Sequence, residues 1–195
     1  MSNAHYAIWL CCPHTSYSFR GTGLSDDFLP LRLLALTPLR LILRRFEGQA
    51  AASPRQRAHL NIHTTPADPV QRFFVATQKD TYFRPHRHTT KSELAVVLRG
   101  YFEVLTFDAA GGVTGRYRIG TDSGNIAYET PRNTWHTLLA GTDGAAFIEI
   151  KEGPYDPATA IEFASWAPAE GDESVPTFQQ WLRAAQPGTA AFQGK

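Results

Sequence analysis

Between residues 59 and 151 the apolar positions fall into short runs with a period close to two. The runs are 59–63, 69–77, 81–87, 93–99, 101–108, 113–120, 124–129, 134–140 and 145–151. Alternation of this kind places successive side chains on opposite faces of a strand, one set inward and one outward. Turn chemistry separates the runs, as in Asp108-Ala-Ala-Gly-Gly, Thr121-Asp-Ser-Gly and Gly141-Thr-Asp-Gly. Many short strands with almost no helix between them predict an all-β, single-domain, double-sheet jelly roll.

The flanks read differently. From Leu31 to Ala51 leucines and arginines recur at helical spacing, broken by Pro38, which predicts an amphipathic helix over 38–50 packed on the barrel. The same arginines would also suit a membrane surface. Beyond Lys151 the prolines at 154, 157, 168 and 176 mark loop, followed by a short helix over 176–185 that buries Phe178, Trp181 and Leu182. Residues 1–37 show no sustained period, are rich in Ser, Thr, Gly and Pro, and are expected to be disordered. The expected organisation is therefore an extension (1–37), a helix and linker (38–58), a barrel (59–152), and a C-terminal loop and short helix (153–195).

Composition narrows the partners more than the fold. A formal net charge of +1 over 195 residues gives no reason to expect nucleic acid as a partner. The basic residues gather before position 58 and the acidic ones after 152, so the two ends could attract one another or simply be solvated. Cys11 and Cys12 are adjacent, a poor geometry for a disulfide, and Cys-Cys-Pro-His lacks a second ligand pair for a metal. No apolar stretch spans a membrane and no secretory signal is evident, so a cytoplasmic protein is expected. Jelly-roll sheets have open edges, which favours a homodimer.

The chemistry concentrates in Thr81–Gly100, TYFRPHRHTTKSELAVVLRG. His86 and His88 share strand parity and project together, and Glu93 arrives from the next strand. His136, in PRNTWHT, supplies a fourth arm. Three imidazoles and a carboxylate suit a first-row divalent ion such as iron, manganese, nickel or zinc. Parity along 81–87 also turns Arg84 inward and Arg87 outward. Arg84 then meets either an anionic ligand or an internal carboxylate, Glu103 or Glu129. Asn61 and His63 could line the same cavity, with His63 either a support to the site or a satisfied core residue. Of Gln71 and Arg72, one faces inward, and Arg72 is favoured. Trp135 is expected to pack in the core. Tyr155 could cap the barrel mouth or simply belong to the Gly153-Pro-Tyr-Asp-Pro turn.

This pattern resembles the cupin superfamily. The first cupin motif stands as His86, His88, Glu93 and Gly100, with Asp80 in place of the usual leading Gly. The second stands as Gly124, Pro131, Asn133 and His136, with Ala140 replacing the final Asn. Asn133 can adopt the left-handed backbone that Gly usually supplies. The strings SPRQRAHLNIH, DPVQRFF, TYFRPHRH, WHT and KEGPYDPATAIEFASWAPAEG resemble, more narrowly, the WbuC-type cupins associated with lipopolysaccharide O-antigen clusters. The resemblance implies a metal-dependent enzyme acting on a small anionic, carbohydrate-related molecule. An iron dioxygenase and a non-catalytic metal- and sugar-binding sensor are the alternatives.

Overall fold

The structure is a computed structural model that describes residues 39–194. The extension 1–37 with its expected disorder, and Cys11 and Cys12 with it, lie outside the described residues. Helix α1 (Leu39–Ala52) is followed by strands β1 (Arg57–Asn61), β2 (Val70–Thr77), β3 (His86–Arg87), β4 (Glu93–Phe107), β5 (Val113–Gly120), β6 (Ala127–Thr130), β7 (Trp135–Glu152) and β8 (Glu162–Phe163), then helix α2 (Val175–Ala184). Every strand pair is antiparallel.

The long strands β4 and β7 organise the barrel. They pair from Glu93↔Lys151 at one end to Phe107↔Trp135 at the other, with register breaks between Val97 and Arg99 and between Gly100 and Phe102. Their first and last halves respectively join β1, β2 and β6 in one curled sheet. Their other halves join β5, β3 and β8 in the second. Runs that the sequence separates, 93–99 from 101–108 and 134–140 from 145–151, are thus single strands that bend. The bend is built on glycine: Gly100 has φ +69°, and a Cβ there would lie 2.5 Å from the Gly144 carbonyl oxygen. Gly144 itself has φ +71°.

Strand parity sorts the apolar residues into three layers. Val75, Ala95, Val97, Phe102, Val104, Leu138 and Phe147 face inward and fill the barrel. On the outside of the first sheet, Leu60, Phe74, Ala76 and Ala146 are covered by Ile42, Phe46 and Ala50 of α1, spaced four apart on one helix face. Outside the second sheet, Leu105, Phe107, Val113 and Leu139 meet Phe178 and Leu182 of α2. Pro176 lies in the first turn of α2, where its missing N–H costs nothing. Among the described residues no helix is long and apolar enough to cross a membrane.

One predicted strand is mostly absent. Of 81–87 only His86–Arg87 pairs, because Pro85 has no N–H to donate to a ladder. The preceding backbone is satisfied by side chains instead: Arg57 Nη1 donates to the Tyr82 carbonyl at 2.6 Å and the Thr137 hydroxyl donates to that of Phe83.

Candidate metal centre

His86 and His136 are direct cross-strand partners on β3 and β7, with ring centroids 4.4 Å apart, and His88 follows two positions along. Each ring is held by its Nδ1. His86 Nδ1 bonds the Arg84 carbonyl at 2.9 Å, His136 Nδ1 the Thr134 carbonyl at 2.9 Å, and His88 Nδ1 the Ala160 carbonyl at 2.6 Å. A carbonyl can only accept, so each Nδ1 carries a proton, and in the neutral ring Nε2 is the atom left to bind a metal. The three ligand atoms lie within 4.8 Å of one another. The turn between the motifs is fixed too: Asn133, at φ 61°, donates its backbone N–H to the His88 carbonyl at 2.8 Å.

Three lone pairs aimed at one point repel unless a cation sits between them. Nε2 of His88 and of His136 are buried and have no hydrogen-bond partner. Glu93 Oε2 lies 2.9 Å from His88 Nε2, a carboxylate facing a lone pair, which again calls for a positive charge. Burial opposes ionisation of Glu93, but a proton on the facing His88 Nε2, whose place a metal ion would take, and the Lys151 ammonium outweigh it and hold the carboxyl well below its usual range. Burial, reinforced by His136, pushes His86 down to about 3, and burial lowers His136 as well, so both rings stay neutral, the form that binds metal. The donor set fits a divalent ion, with Glu93 approaching from the His88 side.

A further polar group shares this inner face. Glu93 pairs with Lys151 across one side of β4, and the next inward residue, Ala95, lies between Tyr128 on β6 and Glu149 on β7. Lys151 Nζ contacts Glu149 Oε1 at 2.5 Å and Glu93 Oε2 at 3.5 Å, and lies 5.1 Å from the Phe73 ring centroid. Burial and the Glu93 charge raise the Glu149 pKa, while its carboxylate neighbours more than offset the burial of Lys151 and raise that ammonium further. Tyr128, Glu149, Lys151 and His59 were not singled out from the sequence. Parity alone would have found the middle two, since Glu149 and Lys151 alternate with the inward Phe147.

The other expected residues fall as follows. Asn61 is on the inner face, opposite Phe73. His63 is buried; its Nδ1 meets the Arg72 backbone, 2.9 Å from the carbonyl and 3.1 Å from the nitrogen, and its ring abuts Phe73 edge-on. Arg72 does not face inward. It lies on the outer face opposite Ile150 and pairs with Asp68 at 3.6 Å, while Gln71 is the buried, inward residue, donating to the Pro66 and Asp68 carbonyls. Arg84 meets neither proposed carboxylate. Its Nη2 donates to the Ala164 carbonyl at 2.9 Å and its guanidinium stands 5.2 Å from the Phe163 ring, whereas Glu103 pairs with Arg116 at 3.3 Å and Glu129 is exposed. Phe163 is half exposed and opposes His86, so Arg84 and Phe163 stand together beside the cluster. Tyr155 donates its N–H to the Pro66 carbonyl and leaves its side chain about half exposed, as a turn residue would. Trp135 packs with the outer layer under Arg87, 4.5 Å from its guanidinium.

Residues 40–119 match the family model described as "Domain of unknown function (DUF6016)". No curated protein matches. Among solved structures, KdgF from Halomonas sp. is similar at 19% identity and a TM-score of 0.43, over 54% of this chain and 84% of that one. The capsular polysaccharide assembling protein CapF from Staphylococcus aureus is similar at 18% identity and a TM-score of 0.48, over 57% of this chain but only 30% of CapF. An oxalate oxidase in complex with glycolate is similar at 15% identity and a TM-score of 0.45, over 68% of each chain. Likeness of this degree says nothing of what the chain acts on. What the fold and the site together give is a single jelly-roll barrel with three histidines inside it that could hold a metal ion.

Proposed function

We propose that the protein is a metal-dependent cupin enzyme acting on a small anionic, carbohydrate-related molecule, as its likeness to the WbuC-type cupins suggests. The observation that carries this reading is the set of three imidazoles tied by Nδ1, with Nε2 atoms turned toward one another beside Glu93. A divalent ion held there by His86, His88, His136 and Glu93 would act as a Lewis acid on a substrate oxygen. The remaining roles belong to the chain's own groups. Arg84, beside the exposed Phe163 ring, would draw an anionic substrate toward the cluster. Glu149, raised in pKa and bonded to Lys151, would hold a proton close to the reacting atoms. Asn61 would offer an amide to the substrate, and His63 would brace Phe73. We propose further that the protein works as a homodimer.

The test is metal analysis of protein purified without chelator, beside His88→Ala. One equivalent of a divalent metal in the wild type, lost in a variant that still melts cooperatively, is the expected result. A metal-free wild type that takes up none of iron, manganese, nickel or zinc would sink the reading.

A further inference from the structure

The inner face of the barrel holds a buried polar atom that the metal centre does not account for. The Tyr128 hydroxyl is sealed from solvent and has no hydrogen-bond partner. Its ring packs against the apolar interior with Phe73 and Phe83. Its backbone opposes Ala95, and Glu149 flanks Ala95 on the other side. Glu93 lies one inward position along β4, so the tyrosine and the candidate ligand are diagonal neighbours on one sheet face. A buried hydroxyl without a partner is destabilising, which makes it a place where a ligand atom would complete the hydrogen bond. The imidazole nitrogens left open beside it would be completed by a metal ion; the phenol requires an oxygen.

We infer that Tyr128 is a substrate-contacting residue whose hydroxyl donates a hydrogen bond to an anionic oxygen of a small carboxylic acid held at the histidine centre. This rests on the metal-binding reading above and adds to it the residue and the ligand class. Burial, reinforced by the charges of Glu93 and Glu149, raises the phenol pKa, so the group stays protonated and is a donor at neutral pH. The Lys151 ammonium, set between Glu93 and Glu149, offsets part of their charge on this side of the cavity, and the cation held at the histidines would supply the attraction for an anionic ligand. Apolar Val97, Phe102, Leu138 and Phe147 close the rest of the interior, which limits the ligand to a small molecule whose polar end faces this cluster.

The experiment compares wild type and Tyr128→Phe, both loaded with cobalt(II), with glycolate as the probe. Metal content, melting temperature without probe, and glycolate affinity from the visible cobalt spectrum are measured on each. The inference expects equal metal content, an unchanged or higher melting temperature because an unpaired hydroxyl has been removed, and glycolate affinity at least ten-fold weaker. Equal glycolate affinity in the two proteins overturns it. So does loss of metal in Tyr128→Phe, which would make the phenol a ligand to the ion. A wild type that binds cobalt but not glycolate overturns the ligand class while leaving the metal centre standing. A wild type that binds no metal at all removes the functional reading itself, and this inference with it.

Discussion

His59 stands on the inner face of β1, opposite Val75, open to solvent yet recessed among Arg57, Arg55 and Lys151. Loss of hydration in the recess first, and these three cations after it, lower its imidazole toward about 4, an effect that water reaching the exposed ring weakens. The folded state therefore refuses a proton that the unfolded chain accepts below about 6.5. Stability should be full above that pH and fall as the pH is lowered toward 4, because the unfolded state binds more protons throughout the window. Urea unfolding of metal-free protein at several pH values across that window checks this. His59→Asn should flatten part of the slope, and an unchanged pH dependence in that variant would mean the ring is not held neutral. The four candidate metal positions were readable in the sequence because their spacing is a property of strand pairing. Arg72 was favoured over Gln71 as the inward residue and the structure reverses the choice, because it depends on which face of β2 meets α1. A buried glutamine that bonds two carbonyls looks, in the sequence, like any polar residue.

At the level of elements, the bend shared by β4 and β7 is the feature most exposed to a single change. Gly100→Ala forces a side chain into a left-handed backbone and drives its Cβ toward the Gly144 carbonyl, which is backbone and cannot swing away. A loss of about 2 kcal/mol or more is expected in chemical denaturation. Loss of less than half that would mean that the two strands can bend elsewhere. Phe178→Ala, removing a fully buried ring from beneath α2, should cost about 3–5 kcal/mol. Short alternating runs made the strands legible, yet the bend hid that two pairs of runs are continuous, since glycine reads as a turn in either case. Parity extended back from His86 could not name the partner of Arg84 for a different reason, namely that Pro85 ends the ladder on which parity depends.

For the molecule as a whole, the jelly roll was legible because all nine runs share one period, and the covering helices because theirs is different. The outer face of the first sheet is only partly covered. Val70 and Leu94 are 46% and 38% exposed, with Val96 and Ile150 half-buried among them. A dimer formed over this face is expected by light scattering at micromolar concentrations, and Leu94→Lys should shift it to monomer. A monomeric wild type would reject the expectation.

The carbonyl that holds His88 comes from Ala160, 72 residues further along the chain, and the strand partner of His86 beyond its outer edge is Phe163. A polypeptide leaving the ribosome therefore carries both histidines of the first motif long before anything can aim them. Contacts this distant close late. During refolding, the spectral signature of bound cobalt should lag behind recovery of β-sheet circular dichroism. In the cell, the centre would stay unset until residues 160–163 have emerged, so a metal ion would be taken up after that point rather than when the first motif leaves the ribosome.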